Sequence, residues 1–145
     1  PEPPAEPQPE ELTPERLEEL EHIRNQMEAK MEACKRTYNL DLETVTKLRR
    51  LNNKNLIKFM MRKGLDIQNW VTTSPPQVIK NYYDELTGDP ITKKLLQVHD
   101  TSQDPNIITA INDRIDALKI EMKEMVKQAN HLNAEIEKIN QLLKK

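Results

Sequence analysis

Histidines, cysteines and paired acids carry most protein chemistry, and in this chain they are few and scattered. The three histidines, His22, His99 and His131, are far apart in sequence. Glu18 and His22 lie four apart, a spacing at which two helical side chains can share a metal ion. No cysteine or second histidine nearby completes a ligand set, so a solvated surface pair is expected. Cys34 is the only cysteine, and no histidine is placed by sequence to activate it. It falls on an apolar stripe and reads as a small core residue. There is no glycine-rich phosphate loop. Met60 and Met61 read as packing. Thr13-Pro14 and Ser74-Pro75 fit proline-directed phosphorylation, but helix capping accounts for both. The expectation is a protein that is not an enzyme, with no catalytic residues, no metal site and no cofactor.

One charged stretch is different in kind. Lys47, Arg49, Arg50, Lys54, Lys58, Arg62 and Lys63 fall in a window with no acid between Thr44 and Leu65. Phe59 lies inside the window and Trp70 just after it. Such a run can contact phosphates of DNA or RNA, or dock an acidic partner. The plainer reading is a solvated helix face, neutralised by the chain's own acidic first helix. The overall charge of −2 favours the plainer one. No zinc-ligand spacing, aromatic recognition strand or basic region running into a zipper accompanies it.

The most specific pattern is at the C-terminus. From Ile108 the apolar residues alternate in steps of three and four. The a positions are Ile108, Ile115, Met122, Ala129, Ile136 and Leu143. The d positions are Ile111, Leu118, Met125, Leu132 and Ile139. All eleven are apolar, and neither proline nor glycine follows Pro105. A strict heptad predicts a coiled-coil oligomerisation seam that needs a partner helix. The alternative is that this helix folds back on the first helix of the same chain. Flanking charges favour an antiparallel homodimer, in which Arg114 meets Glu135 of a second copy; in a parallel one it meets Lys119.

The elements that must position these residues are marked by a repeated device. Thr13-Pro14, Ser74-Pro75, Asp89-Pro90 and Asp104-Pro105 each set a capping side chain before a proline. The oxygen accepts from first-turn amides, and proline at the first helical position loses no bond there. A first helix is predicted from about Pro14 to about Tyr38. Its stripe is Leu17, Leu20, Ile23, Met27, Met31, Cys34 and Tyr38. Asp41 is expected to cap a second helix carrying Leu42, Val45, Leu48 and Leu51. Asn52 to Asn55 should break it, and a further turn or two from Leu56 should close at Gly64. Residues 65–73 read as a connector. Helices from Ser74 to near Gly88, showing Val78, Ile79, Tyr82 and Leu86, and from Asp89 complete the set.

Composition bounds the rest. Charged residues make up 32% of the 145-residue chain, apolar ones 36% and aromatics 3%, so the core must be small. Only Gly64 and Gly88 are glycines, which favours helices over tightly turned sheets. Residues 1–32 sum to −7, residues 33–64 to +7 and residues 65–145 to −2, so charge is segregated along the chain. No apolar run reaches membrane-spanning length and no signal-peptide pattern opens the chain, whose missing initiator Met fits a fragment. One cysteine fits a reducing, intracellular setting, nucleus or cytoplasm.

The predicted architecture is all-α: a disordered Pro/Glu-rich lead-in over 1–12, a small helical domain over 13–100 and a coiled-coil oligomerisation helix over 101–145. The predicted function is a non-enzymatic adaptor or scaffold subunit. It would assemble as a homo-oligomer or with a heteromeric helical protein partner, without a membrane. The alternative is a nucleic-acid- or chromatin-associated protein that uses the 47–63 stretch for weak phosphate contact and dimerises through its last helix.

Overall fold

The computed structural model describes residues 12–98, 100–101 and 104–144. The Pro/Glu-rich lead-in, apart from Leu12, lies outside them, as does His99. Six helices follow in order: α1 (Pro14–Leu51), α2 (Lys54–Arg62), α3 (Ile67–Thr73), α4 (Pro76–Gly88), α5 (Pro90–Leu96) and α6 (Pro105–Leu143). The fold is all-α.

Three of the four Pro-marked starts are built as expected. Thr13 accepts from the Arg16 amide at 3.2 Å, Asp89 from Ile91 at 2.9 Å and Asp104 from Asn106 at 2.9 Å. Ser74-Pro75 differs. Pro75 is extended, at φ −60° and ψ 151°, and makes no side-chain cap. Pro76 takes the first helical position, and Ser74 closes α3 with its amide on the Trp70 carbonyl. Proline disfavours the helical region in the residue before it, so the second proline of the pair pushes the start of α4 one residue on.

α1 is one helix of 38 residues, not two. Asn39, Leu40 and Asp41 include neither proline nor glycine, so nothing local stops the helix there. Asp41 therefore caps nothing; it sits mid-helix and is buried. The break after Leu51 is real. Asn53 starts α2, its Oδ1 accepting from the amides of Asn55 at 3.0 Å and Leu56 at 3.1 Å. Its Nδ2 donates to the carbonyls of Leu95 at 3.2 Å and Val98 at 2.7 Å. This one buried amide ties the start of α2 to the end of α5. α2 ends just before Gly64, whose φ of +85° is the left-handed turn that stops a helix. The expected connector over 65–73 holds α3, begun by Asp66 accepting from the Asn69 amide at 3.4 Å.

α1 and α6 run antiparallel. Arg24 donates to Asn140 at 3.2 Å and the Cys34 thiol to Gln128 at 3.6 Å, while Asp41 faces Glu121. One number falls as the other rises. At about 1.5 Å per residue each helix is roughly 57 Å long. The short helices gather at one end, α4 on α1, α3 on α6 and α5 on α2 and α4. The core there takes Val45, Leu48 and Leu51 from α1 and Ile107, Ile111, Ile115 and Leu118 from α6. Leu56, Ile57 and Met60 of α2, Ile67 and Val71 of α3, and Ile79, Tyr83 and Leu86 of α4 complete it. The heptad helix is thus part of one bundle and not a separate module appended to a helical domain. Beyond this core only α1 and α6 continue, side by side.

The Asn53 tie gives a graded test. Asn53→Ala removes the α2 cap and leaves two carbonyls without their donor. It should cost about 1–3 kcal/mol in urea unfolding. Asn53→Asp keeps the cap but loses the donor, and should be as damaging or worse because its charge faces both carbonyls. Wild-type stability in both variants would show that the tie contributes nothing.

Candidate interaction surfaces and a buried acid pair

None of the eleven seam residues of α6 is exposed. Ile111, Ile115, Leu118, Ile136 and Ile139 are buried, and Ile108, Met122, Met125, Ala129, Leu132 and Leu143 are half-buried. Their cover comes from within the chain. The α1 stripe from Leu17 to Tyr38 is likewise half-buried or buried throughout, and faces them. The seam meets the first helix, the arrangement weighed above as the alternative to a partner chain. The flanking charges behave accordingly. Arg114 donates to the Thr72 and Val71 carbonyls at the end of α3, at 2.8 and 3.4 Å, where the helix dipole is negative. Glu135 pairs with Lys138 at 3.3 Å. The charges that suggested an antiparallel α6 dimer are engaged locally.

The cover is uneven. Near the core α6 is enclosed by short helices, and near the far end Leu20, Ile136 and Ile139 are buried. Between these levels a single helix covers the seam, and Met27, Met31, Met122, Met125, Ala129 and Leu132 stay half-exposed. A groove of about 600 Å³ runs along one side, between Ala33 and Thr37 of α1 and Glu124, Gln128 and His131 of α6. A second, of about 370 Å³, lies on the other side, between Tyr38 and Asn39 and Val126 and Ala129. Cys34 and Met125 border both. Val126 is 46% exposed at the second groove.

The basic stretch maps to the opposite end. Lys47 leaves the set: its ammonium lies 2.6 Å from Asp84 and 5.5 Å from the Tyr83 ring centre. Arg49 and Arg50 close α1, Lys54, Lys58 and Arg62 lie on α2, and Lys63 follows. All but the half-buried Lys54 are exposed, and none forms an ion pair among the described residues. Sequence reasoning missed Lys93 and Lys94, exposed on α5, which packs on α2. They are distant in sequence, and the only signal was a second short basic cluster after a capped start. The acidic first turns of α1 do not neutralise this end. Glu28 and Arg49 are 21 positions apart on one helix, roughly 30 Å. Asp100, beside Arg49 and Arg50 in a recess, is the nearby acid. The aromatics are already engaged: Lys63 of the stretch itself lies 5.4 Å from the Phe59 ring centre, and Trp70 meets Tyr82 with ring centres 5.1 Å apart and planes inclined by 59°.

The buried acid is the other feature that sequence reading missed. Asp41 is 1% exposed, and its Oδ2 has no hydrogen-bond partner. Burial, then the facing Glu121 carboxyl, pushes its carboxyl up to about 7, opposed by Arg114. Its spacing carried the signal. Asp41 follows Cys34 by seven and precedes Val45 by four, so it continues the apolar stripe.

The remaining candidates stay apart. His22 is exposed, with its Nε2 3.1 Å from the Gln26 side-chain amide. Among the described residues no three of His, Cys, Asp and Glu converge as metal ligands, and no helix is long and apolar enough to cross a membrane. In comparisons with known proteins, no family model matches this chain and no match was found among curated proteins or solved structures, so the functional reading rests on its own geometry.

Proposed function

We propose that this chain is a non-enzymatic, intracellular helical adaptor that assembles with itself or with a partner protein through the two-helix portion of α1 and α6. The observation that carries this is the half-covered seam. Two helices cannot enclose a seam between them, and four can. The two grooves beside Met125 offer the apolar floor that one or two further helices would cover. Methionine-rich linings adapt to a partner's shape. The scatter of titratable groups fits a binding role better than catalysis. Because α1 already occupies the seam of α6, a homo-oligomer built this way pairs two α1–α6 units instead of two bare α6 helices.

Sedimentation equilibrium tests the self-association. The wild type should exceed the monomer mass. Val126→Glu, placing a charge on the floor of one groove, should return it to monomer with its helical circular dichroism unchanged. An oligomer that survives this variant and a matching Thr37→Glu change in the other groove would show that the contact lies elsewhere.

A second reading, weak contact with nucleic-acid phosphates, is favoured by the basic end, whose six members from Arg49 to Lys63 lack acidic partners. Duplex DNA binding should then weaken steeply with salt, with a log–log slope near −0.9 per phosphate neutralised. Reversing Arg49, Arg50 and Lys58 to Glu should abolish it. Equal binding by the reversed variant, or none by the wild type at low salt, would leave the stretch a solvated face.

A further inference from the structure

We propose that Asp41 and Glu121 form a proton-held latch between α1 and α6, closed while the two carboxyls share a proton and open at that level once it is lost.

The case rests on what surrounds Asp41. A carboxylate taken out of water needs a cation or a set of donors. Asp41 is 1% exposed and its Oδ2 has no donor. From α6 the group that meets it is another carboxyl, Glu121. Arg114, also on α6, is the nearby cation, but its Nη1 is held by the Val71 and Thr72 carbonyls. From α4 the charged groups are Lys80, Asp84 and Glu85. Lys80 pairs with Glu43 at 3.0 Å and Asp84 with Lys47 at 2.6 Å, so the lysines on this side already have acids. α3 has no ionisable side chain. Among these groups a neutral Asp41 is the state that fits: protonated, it can donate to Glu121. Ionised, the buried Asp41 carboxylate would lack a donor and repel the Glu121 carboxylate across the helix interface.

Position turns this into a device. Asp41 lies where the core ends. Val45 and Leu118 are buried on one side of it, and the half-exposed Met122 and Met125 lie on the other. Repulsion here loosens the two-helix portion while the far larger contact area of the core holds. The raised ionisation of Asp41, about 7, sets the range. Its folded value lies above the ordinary 3.8, so protonation favours the folded form. The stabilisation is complete below about pH 4, declines as pH rises towards 7 and is lost above it. What opening would expose is the seam used in the proposed assembly. That consequence rests on the adaptor reading, and the latch itself does not.

Cys34, the single cysteine, is buried between the two grooves and reports opening directly. The experiment measures its labelling by a maleimide from about pH 5 to about pH 8, each rate divided by that of Asp41→Asn at the same pH to cancel thiol ionisation. The ratio should rise about a hundredfold, since about two pH units of this range lie between the ordinary 3.8 and the raised value of about 7. Glu121→Gln, at an exposed position, removes the facing charge and should diminish the rise, leaving the part that the burial of Asp41 contributes; if Asp41→Asn does not fold, the rates are divided by those of a free thiol with the same maleimide. A ratio that stays flat in the wild type overturns the latch. So does a rise that persists undiminished in Glu121→Gln. Monomer and oligomer masses do not enter this measurement, so it stands or falls separately from the assembly proposal.

Discussion

The contact between α1 and α6 is the interaction from which the remaining structure follows. Each helix carries an apolar stripe too long to leave in water, and each stripe is covered by the other. Neither helix would be stable alone at this charge content, because helical stability in water comes mostly from packing one face. Once the pair is antiparallel, the chain between them must turn back within residues 52–104, and among the described residues there the short helices α2 to α5 form. They cap one end of the pair and add Leu56, Met60, Val71, Ile79 and Tyr83 to a core that two helices could not enclose.

Polar groups as well as apolar ones hold the closed end. Asn53 satisfies two amides and two carbonyls from separate helices. Thr92, fully buried, donates to the Leu86 carbonyl, and Thr44 donates to Leu40 at 2.7 Å while lying 3.4 Å from the Pro76 carbonyl. These side chains do the work that backbone partners do inside a helix, at the places where short helices leave groups unpaired. They also fix which short helix meets which, since apolar contact alone has no directional preference.

Local chemistry explains what could be read from the sequence. Caps and prolines act within four residues, so the starts of α1, α5 and α6 and the break at Asn52 were legible. The heptad showed that α6 needed a helical cover. It did not show whose, because an intramolecular and an intermolecular partner satisfy the same stripe. Asp41 was misread for a related reason. As a cap it would be a local feature, and as a buried acid it depends on Glu121, eighty positions away. α3 was missed because seven residues with two β-branched threonines and a valine give little periodicity, and tertiary packing on α6 supplies what propensity lacks. The basic end was half legible. Its six bases from Arg49 to Lys63 share one acid-free window, but the loss of Lys47 to Asp84 and the addition of Lys93 and Lys94 are products of folding.

The unbroken run of α1 from Pro14 to Leu51 has a mechanical consequence. A helix pair without a proline or glycine in its interior is stiff over its length. The basic end and the grooves beside Cys34 sit at different heights on this rod, with 15 residues between Cys34 and Arg49, roughly 22 Å. Two molecules held at those places would be kept at a set separation and a set rotation about the rod, as by a ruler. A flexible tether of equal contour would hold neither.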